Sequence, residues 1–225
     1  MIDYTIIRSK RKTIAIHIKK DASVEVRAPL SIKKEEIHRF IISKQEWIQK
    51  HVQSRRESLN SQAGFSLSYG DTVHMQGSQY PINAIDSNRI GFDGKCFYLP
   101  PNLPSEEIRH QIIQVYIEIA KIVFARKAER YSTIMKVKPS AIKVNSAKTR
   151  WGSCSGKDSI NFSWRLIMAD DAVIDYVVVH ELAHIIEHNH SPRFWSVVAA
   201  VLPDYKIRQQ KLKELQKRLS AEDWD

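Results

Sequence analysis

The chain has 225 residues, enough for one large domain or two small ones with a real core. Its 35 Lys and Arg outnumber 25 Asp and Glu for a net charge of +10. Two cysteines, Cys96 and Cys154, exclude a disulfide framework and suit a reducing cytosol.

No apolar run approaches the ~20 residues that a membrane span requires. Arg8, Lys10, Arg11 and Lys12 interrupt the first apolar residues too early for a signal peptide. A soluble, cytoplasmic protein with no membrane partner is therefore expected. The charge is uneven: residues 1–60 carry 14 Lys/Arg against 7 Asp/Glu, and residues 171–225 carry 7 against 9. A basic N-terminal face is compatible with nucleic acid, although no zinc finger, helix-turn-helix or RNA-recognition signature accompanies it.

In chain order, Tyr4–Arg8, Thr13–Ile18 and Ser23–Arg27 read as strands, the third ended by Pro29. Ser31 caps a helix expected to run to about 58, with Ile37, Phe40, Ile41, Trp47 and Ile48 at helical spacing. From 64 to 99, short strands alternate with Gly70, Gly77, Gly91 and Gly94. Pro100-Pro101-Asn102-Leu103-Pro104 is the clearest break and divides the chain into 1–100, β-rich with one helix, and 101–225. Ser105 opens a long helix to about 132, with Ile108, Ile112, Val115, Ile119 and Ile122 periodic. Ala141–Asn145 and Ser159–Leu166 form a hairpin whose turn chemistry comes from Gly152 and Ser155-Gly156-Lys157-Asp158. A helix follows over about 171–188, with Asp170 as N-cap and Asp171 in its first turn. Ser191 caps a short helix (192–201), and Asp204 another to about 219. The fold class is α+β.

Chemistry is concentrated in His180-Glu181-Leu182-Ala183-His184. Histidines four apart lie about 6 Å apart along one face of a helix, within reach of one zinc ion. Glu181 then stands beside the metal as a general base for coordinated water. Four of the nine histidines (His180, His184, His188, His190) fall within these eleven residues. A third ligand is needed, and His188 would be about 12 Å from His180 along a continuing helix, too far for Zn–N bonds of about 2.0–2.1 Å. The third ligand must follow a chain reversal. Asn189 can adopt the left-handed conformation that ends helices, Ser191-Pro192 opposes continuation, and His190 folds back to the metal. Glu187 and Glu214 are the other candidates.

Asn189-His190-Ser191-Pro192-Arg193-Phe194-Trp195 resembles the YgjP-like metallopeptidase family, as do Lys148–Ser155, Ile160–Leu166 and Leu202–Tyr205. A more distant likeness links His190–Phe194 to the SprT-like proteases. Both resemblances imply zinc held by His180, His184 and His190, with Glu181 as base, in a zincin-like catalytic part over 101–225. The YgjP-like resemblance also implies a small antiparallel sheet over the motif helix, whose edge strand can take an extended peptide. The histidine spacing equals that of metzincins, yet Glu187 stands where they have glycine and no methionine follows Met168.

The expected activity is a zinc metallopeptidase acting on a peptide or protein substrate. Arg150, Trp151 and Asn161 are candidate substrate contacts, and Tyr205 and Arg150 candidate electrophile stabilisers. Rival readings are a metal-dependent nucleotide phosphohydrolase and a SprT-like protease on DNA-bound proteins. Cys154 is expected as a small buried hydrophobe rather than a ligand or thiol switch.

Overall fold

The computed structural model describes residues 2–224. Helices and three small sheets alternate along the chain, the α+β class expected. Two compact units result, one from residues up to Phe65 with Leu219–Asp223, the other from Ser66–Arg218 with Trp224. The segment 66–99 thus groups with the second unit, whereas the proline-rich break suggested a division at 100. The reason is packing: Phe97 and Tyr116 meet edge to face at 5.4 Å, tying that β-rich segment to the long helix after it.

The first unit contains strands β1 (Thr5–Ser9), β2 (Ala15–Ile18) and β3 (Val24–Pro29), then helices α1 (Lys34–Ser43) and α2 (Gln45–Ala63). Central β3 runs parallel to β1 and antiparallel to β2. Val24, Val26 and Ala28 from β3 pack with Ile37, Ile41 and Ile48 from the helices. The single helix expected from Ser31 breaks at Lys44, and its first N-cap is Lys33. An unbroken helix of thirty residues would be about 45 Å long, far beyond strands of four to six residues at about 3.3 Å each. Bending at Lys44 returns Ile48 to the same core.

The second unit opens with β4 (Thr72–Met75), β5 (Ser78–Ala84), β6 (Gly91–Phe92) and β7 (Phe97–Leu99), ordered β4-β5-β7-β6. Gln76 and Gly77, at φ 47° and 82°, make the β4–β5 turn, the positive-φ pair a tight hairpin requires. Helix α3 (Ser105–Met135) follows. Its buried positions are Ile108, Ile112, Tyr116, Ala120, Phe124 and Ala128, with Val115 and Tyr131, and Ile122 is 62% exposed. Steps of four advance about 40° each on a helix of 3.6 residues per turn. The buried stripe therefore winds around α3, which packs on β6 and β7 and also on β8 and α4. A straight stripe through Ile122 was expected from the sequence.

Strands β8 (Ala141–Asn145), β9 (Gly152–Cys154) and β10 (Ser159–Ser163) form a sheet ordered β8-β10-β9. β8 and β10 are parallel, and the hairpin is β9–β10, correcting the expected pairing and the all-antiparallel sheet. Trp164–Met168 is a buried 3-10 turn, so the strand expected to run to Leu166 ends at Ser163. There Arg165 donates to the carbonyl oxygens of Trp224 (2.9 Å) and Ser146 (3.2 Å). Helices α4 (Asp171–Ile186), α5 (Pro192–Val201) and α6 (Tyr205–Leu219) complete the chain.

α4 is apolar nearly all round and lies against α3, β9 and α5. Its N-terminal half is held by charge. Lys127 reaches Asp171 at 2.8 Å and the largely buried Asp175 at 2.6 Å. Arg208 donates to the Ala172 carbonyl oxygen at 3.0 Å and lies 3.8 Å from Asp175. Asp170 is the N-cap residue without a capping hydrogen bond, because its carboxylate accepts from Lys211 at 2.9 Å.

Candidate metal centre

His180 and His184 occupy one face of α4, with ring centroids 5.1 Å apart. α4 ends at Ile186, and Glu187 is extended at φ −142°. The reversal uses no left-handed residue: Asn189 is absent from the positive-φ positions, so its expected conformation is not adopted. Ser191 accepts from the Phe194 N–H at 3.3 Å and caps α5, with Pro192 in its first turn. This turn returns His190 to within 5.0 Å of the His180 ring and 4.7 Å of the His184 ring. The three side chains offer ligand atoms that all lie within 4.8 Å of one another. Phe194, fully buried, lies beneath them with its ring 4.9, 4.6 and 4.7 Å from His180, His184 and His190.

The donor set fits a metal ion. Burial, reinforced by His184 and His190, pushes the His180 pKa down to about 3, so that ring is neutral at neutral pH. Burial also lowers the pKa of His184. Neutral imidazole is the form that ligates metals. The Nδ1 of His184 lies 3.3 Å from the Glu187 carbonyl oxygen, an acceptor only. That nitrogen is therefore the donor, and Nε2 presents its lone pair. The Nε2 atoms of His180 and His190 point at each other across 3.0 Å. The buried Nδ1 of His180 has no hydrogen-bond partner. His180, His184 and His190 are thus the residues that would hold an ion.

Glu181 is 6% exposed, and burial raises its pKa to about 7 against an opposing pull from Arg150. Its neighbour is Gly152 on β9. A Cβ at position 152 would sit 2.6 Å from Cγ and Oε1 of Glu181 and 2.7 Å from Cδ. The sequence suggests a turn residue at Gly152. It is instead a strand residue whose missing side chain lets β9 close over the carboxylate, a meaning glycine in a strand often carries. Cys154, two residues on, shares that sheet face. Burial, Glu181 and Asp158 push its thiol up to about 11, keeping it protonated as expected of an inert cysteine.

Arg150 is exposed just before β9 and is the cation felt by Glu181. Trp151 is half-buried, and its carbonyl oxygen accepts from the Ser163 N–H at 2.8 Å. Asn161 is not brought to the carboxylate. It pairs with Ser153, whereas Gly152 pairs with Phe162, and alternate residues face opposite sides of a sheet. Asn161 thus lies on the face away from Glu181. Glu214 lines a cleft with Met168, Asp170 and Lys211 and is outside the histidine cluster. His188 is exposed beyond the helix end rather than on it. Tyr205 stacks on Trp195 at 5.3 Å.

Residues 12–215 match the YgjP-like metallopeptidase domain. The chain belongs to that family. Its members are metallopeptidases, so a metal ion and a peptide or protein substrate go with the fold. The crystal structure of the metallopeptidase zymogen of Pyrococcus abyssi abylysin is similar over 44% of this chain and 97% of that one, at 19% identity and a TM-score of 0.38. Among curated proteins none matches. No helix among the described residues is long and apolar enough to cross a membrane.

Proposed function

We propose that this YgjP-like metallopeptidase is a zinc enzyme in which His180, His184 and His190 hold the ion and Glu181 is the general base. The observation that carries the reading is the convergence of three imidazoles beside a carboxylate buried to 6% exposure. Three nitrogen donors suit Zn²⁺ better than Mg²⁺, which prefers oxygen, so a nucleotide phosphohydrolase is the weaker alternative. Zn²⁺ bound there would supply Lewis acidity, easing loss of a proton from water and polarising the substrate carbonyl. Glu181 takes that proton on its carboxylate and gives it to the leaving amine nitrogen. Burial favours the protonated form of this carboxylate and the neighbouring cations favour the ionised one, the opposed pulls that suit a group which both takes and returns a proton.

Substrate lies along β9. The Trp151 carbonyl and the Ser155 N–H both bond toward the β10 side. By alternation the backbone groups of Gly152 and Cys154 point outward along the free edge, where an extended peptide adds as a strand. Arg150, exposed beside the carboxylate, contacts the substrate or the developing oxyanion, and Trp151 shapes the approach.

The test is Glu181→Gln and His190→Ala, with zinc content and peptidase activity measured on each. Glu181→Gln keeps its metal and loses roughly 10²–10⁴-fold in kcat, and His190→Ala loses metal. Retained activity in Glu181→Gln refutes the assigned base.

A further inference from the structure

His190 is the exposed member of the triad and the one carried on a loop. A loop-borne ligand is held less firmly than one on a helix unless neighbouring side chains lock it. Ser191 is the N-cap of α5 and Pro192 its first residue. That makes His190 the N′ position and Trp195 the N4 position. Packing between N′ and N4 side chains is the staple that sets the angle at which the chain comes into a helix. The contact is present here: the His190 ring lies 5.7 Å from Trp195 at an interplanar angle of 32°. The same indole stacks on Tyr205 at 5.3 Å and 17°, which braces it against the first residue of α6.

We propose that Trp195 is a positioning residue for the metal centre: stapled to His190 and backed by Tyr205, it aims the loop-borne imidazole at His180 and His184 before a metal arrives. The inference rests on His190 being a ligand. Phe194 also touches His190, but it is fully buried and touches all three rings, so its role is packing for the whole cluster. Trp195 is only half-buried; its indole lies 5.7 Å from the His190 ring at 32° and 5.9 Å from the His180 ring at 58°, so it acts on the side of the triad where the loop-borne ring faces His180. The staple adds no ligand and touches no substrate. It narrows the orientations of His190 in the metal-free protein, so less freedom is lost when the ion binds.

The experiment uses the full chain, stripped of metal. Zn²⁺ affinity is read by competition with a chromophoric chelator, and ligand geometry by the visible spectrum after Co²⁺ loading. Trp195→Ala weakens Zn²⁺ binding by roughly 10–100-fold, the range found for residues that orient ligands, and alters the Co²⁺ bands. Trp195→Phe, which keeps an aromatic staple, restores most of both. In a His190→Ala background, Trp195→Ala adds no further loss. Wild-type affinity and spectrum in Trp195→Ala overturn the proposal, as does an equal loss with and without His190. Should Trp195→Ala not fold, Tyr205→Leu reads the same brace, with a smaller loss and the same dependence on His190; unchanged affinity there overturns it. Failure of the underlying reading looks different: His190→Ala would bind Zn²⁺ as tightly as the wild type.

Discussion

Gly152→Ala places one methyl group against the proposed base, whose atoms are its three nearest neighbours. The added Cβ would stand 2.6 Å from Cγ of Glu181. Carbon atoms pack best at about 3.5–4.0 Å, so Glu181 or β9 must yield by about 0.9 Å. Overpacking of this kind costs about 1–3 kcal/mol of stability. A displacement near 1 Å of a reacting group costs on the order of 10²-fold in rate, which is about 2.7 kcal/mol in the barrier. The substitution leaves all three histidines in the chain, so metal content is expected at the wild-type level while kcat falls. Gly156→Ala is the matched control, because no heavy atom lies within 4 Å of its Cβ and its φ is not left-handed. Steady-state peptidase kinetics, metal analysis and thermal unfolding on both variants separate the effects. Wild-type kcat in Gly152→Ala would mean that this carboxylate tolerates displacement, and the assignment of Glu181 would fail.

Two further outcomes follow from charges around α4. Glu181 ionises near 4.5 when unfolded and at about 7 when folded, so the unfolded chain releases its proton first. Stability of the metal-free protein is therefore fully present below 4.5 and falls as pH rises toward about 7. At about 1.4 kcal/mol per pH unit the loss is roughly 3 kcal/mol. Urea unfolding should find metal-free Glu181→Gln level with the wild type at pH 4 and more stable by up to that amount at pH 8; no gain at pH 8 contradicts the burial argument. Asp175→Ala takes from Lys127, whose side chain is 11% exposed, its more buried partner and leaves it only the exposed Asp171, and is expected to cost about 1.5–3 kcal/mol in denaturant unfolding. Adding Lys127→Met to that variant recovers much of the loss.

The histidine-rich end of the sequence is readable where chemistry imposes spacing. Two histidines on one helical face, a third beyond a forced reversal and a Ser-Pro helix start need no knowledge of distant contacts, and all lie where expected. The features that escaped depend on what packs against what. Strand alternation in Ala141–Asn145 is the same whether its neighbour is parallel or antiparallel, so the inserted β9 was invisible. Gly152 reads equally as turn or strand until Glu181 is seen beneath it. Ile122 belongs to a regular apolar repeat, yet the winding stripe on α3 leaves it in solvent. The chain reverses after Ile186 without a left-handed Asn189, because Glu187 leaves the helix in an extended conformation.

β9 is only three residues long. At about 3.3 Å per residue it offers roughly 10 Å of edge, which grips a short stretch of backbone and little beyond it. Compact proteins seldom lend such a stretch, since their strands already have neighbours. Frayed ends, loose tails and misassembled chains do. With peptide docked there, the enzyme would sort its targets by how unravelled they are rather than by any long sequence they carry.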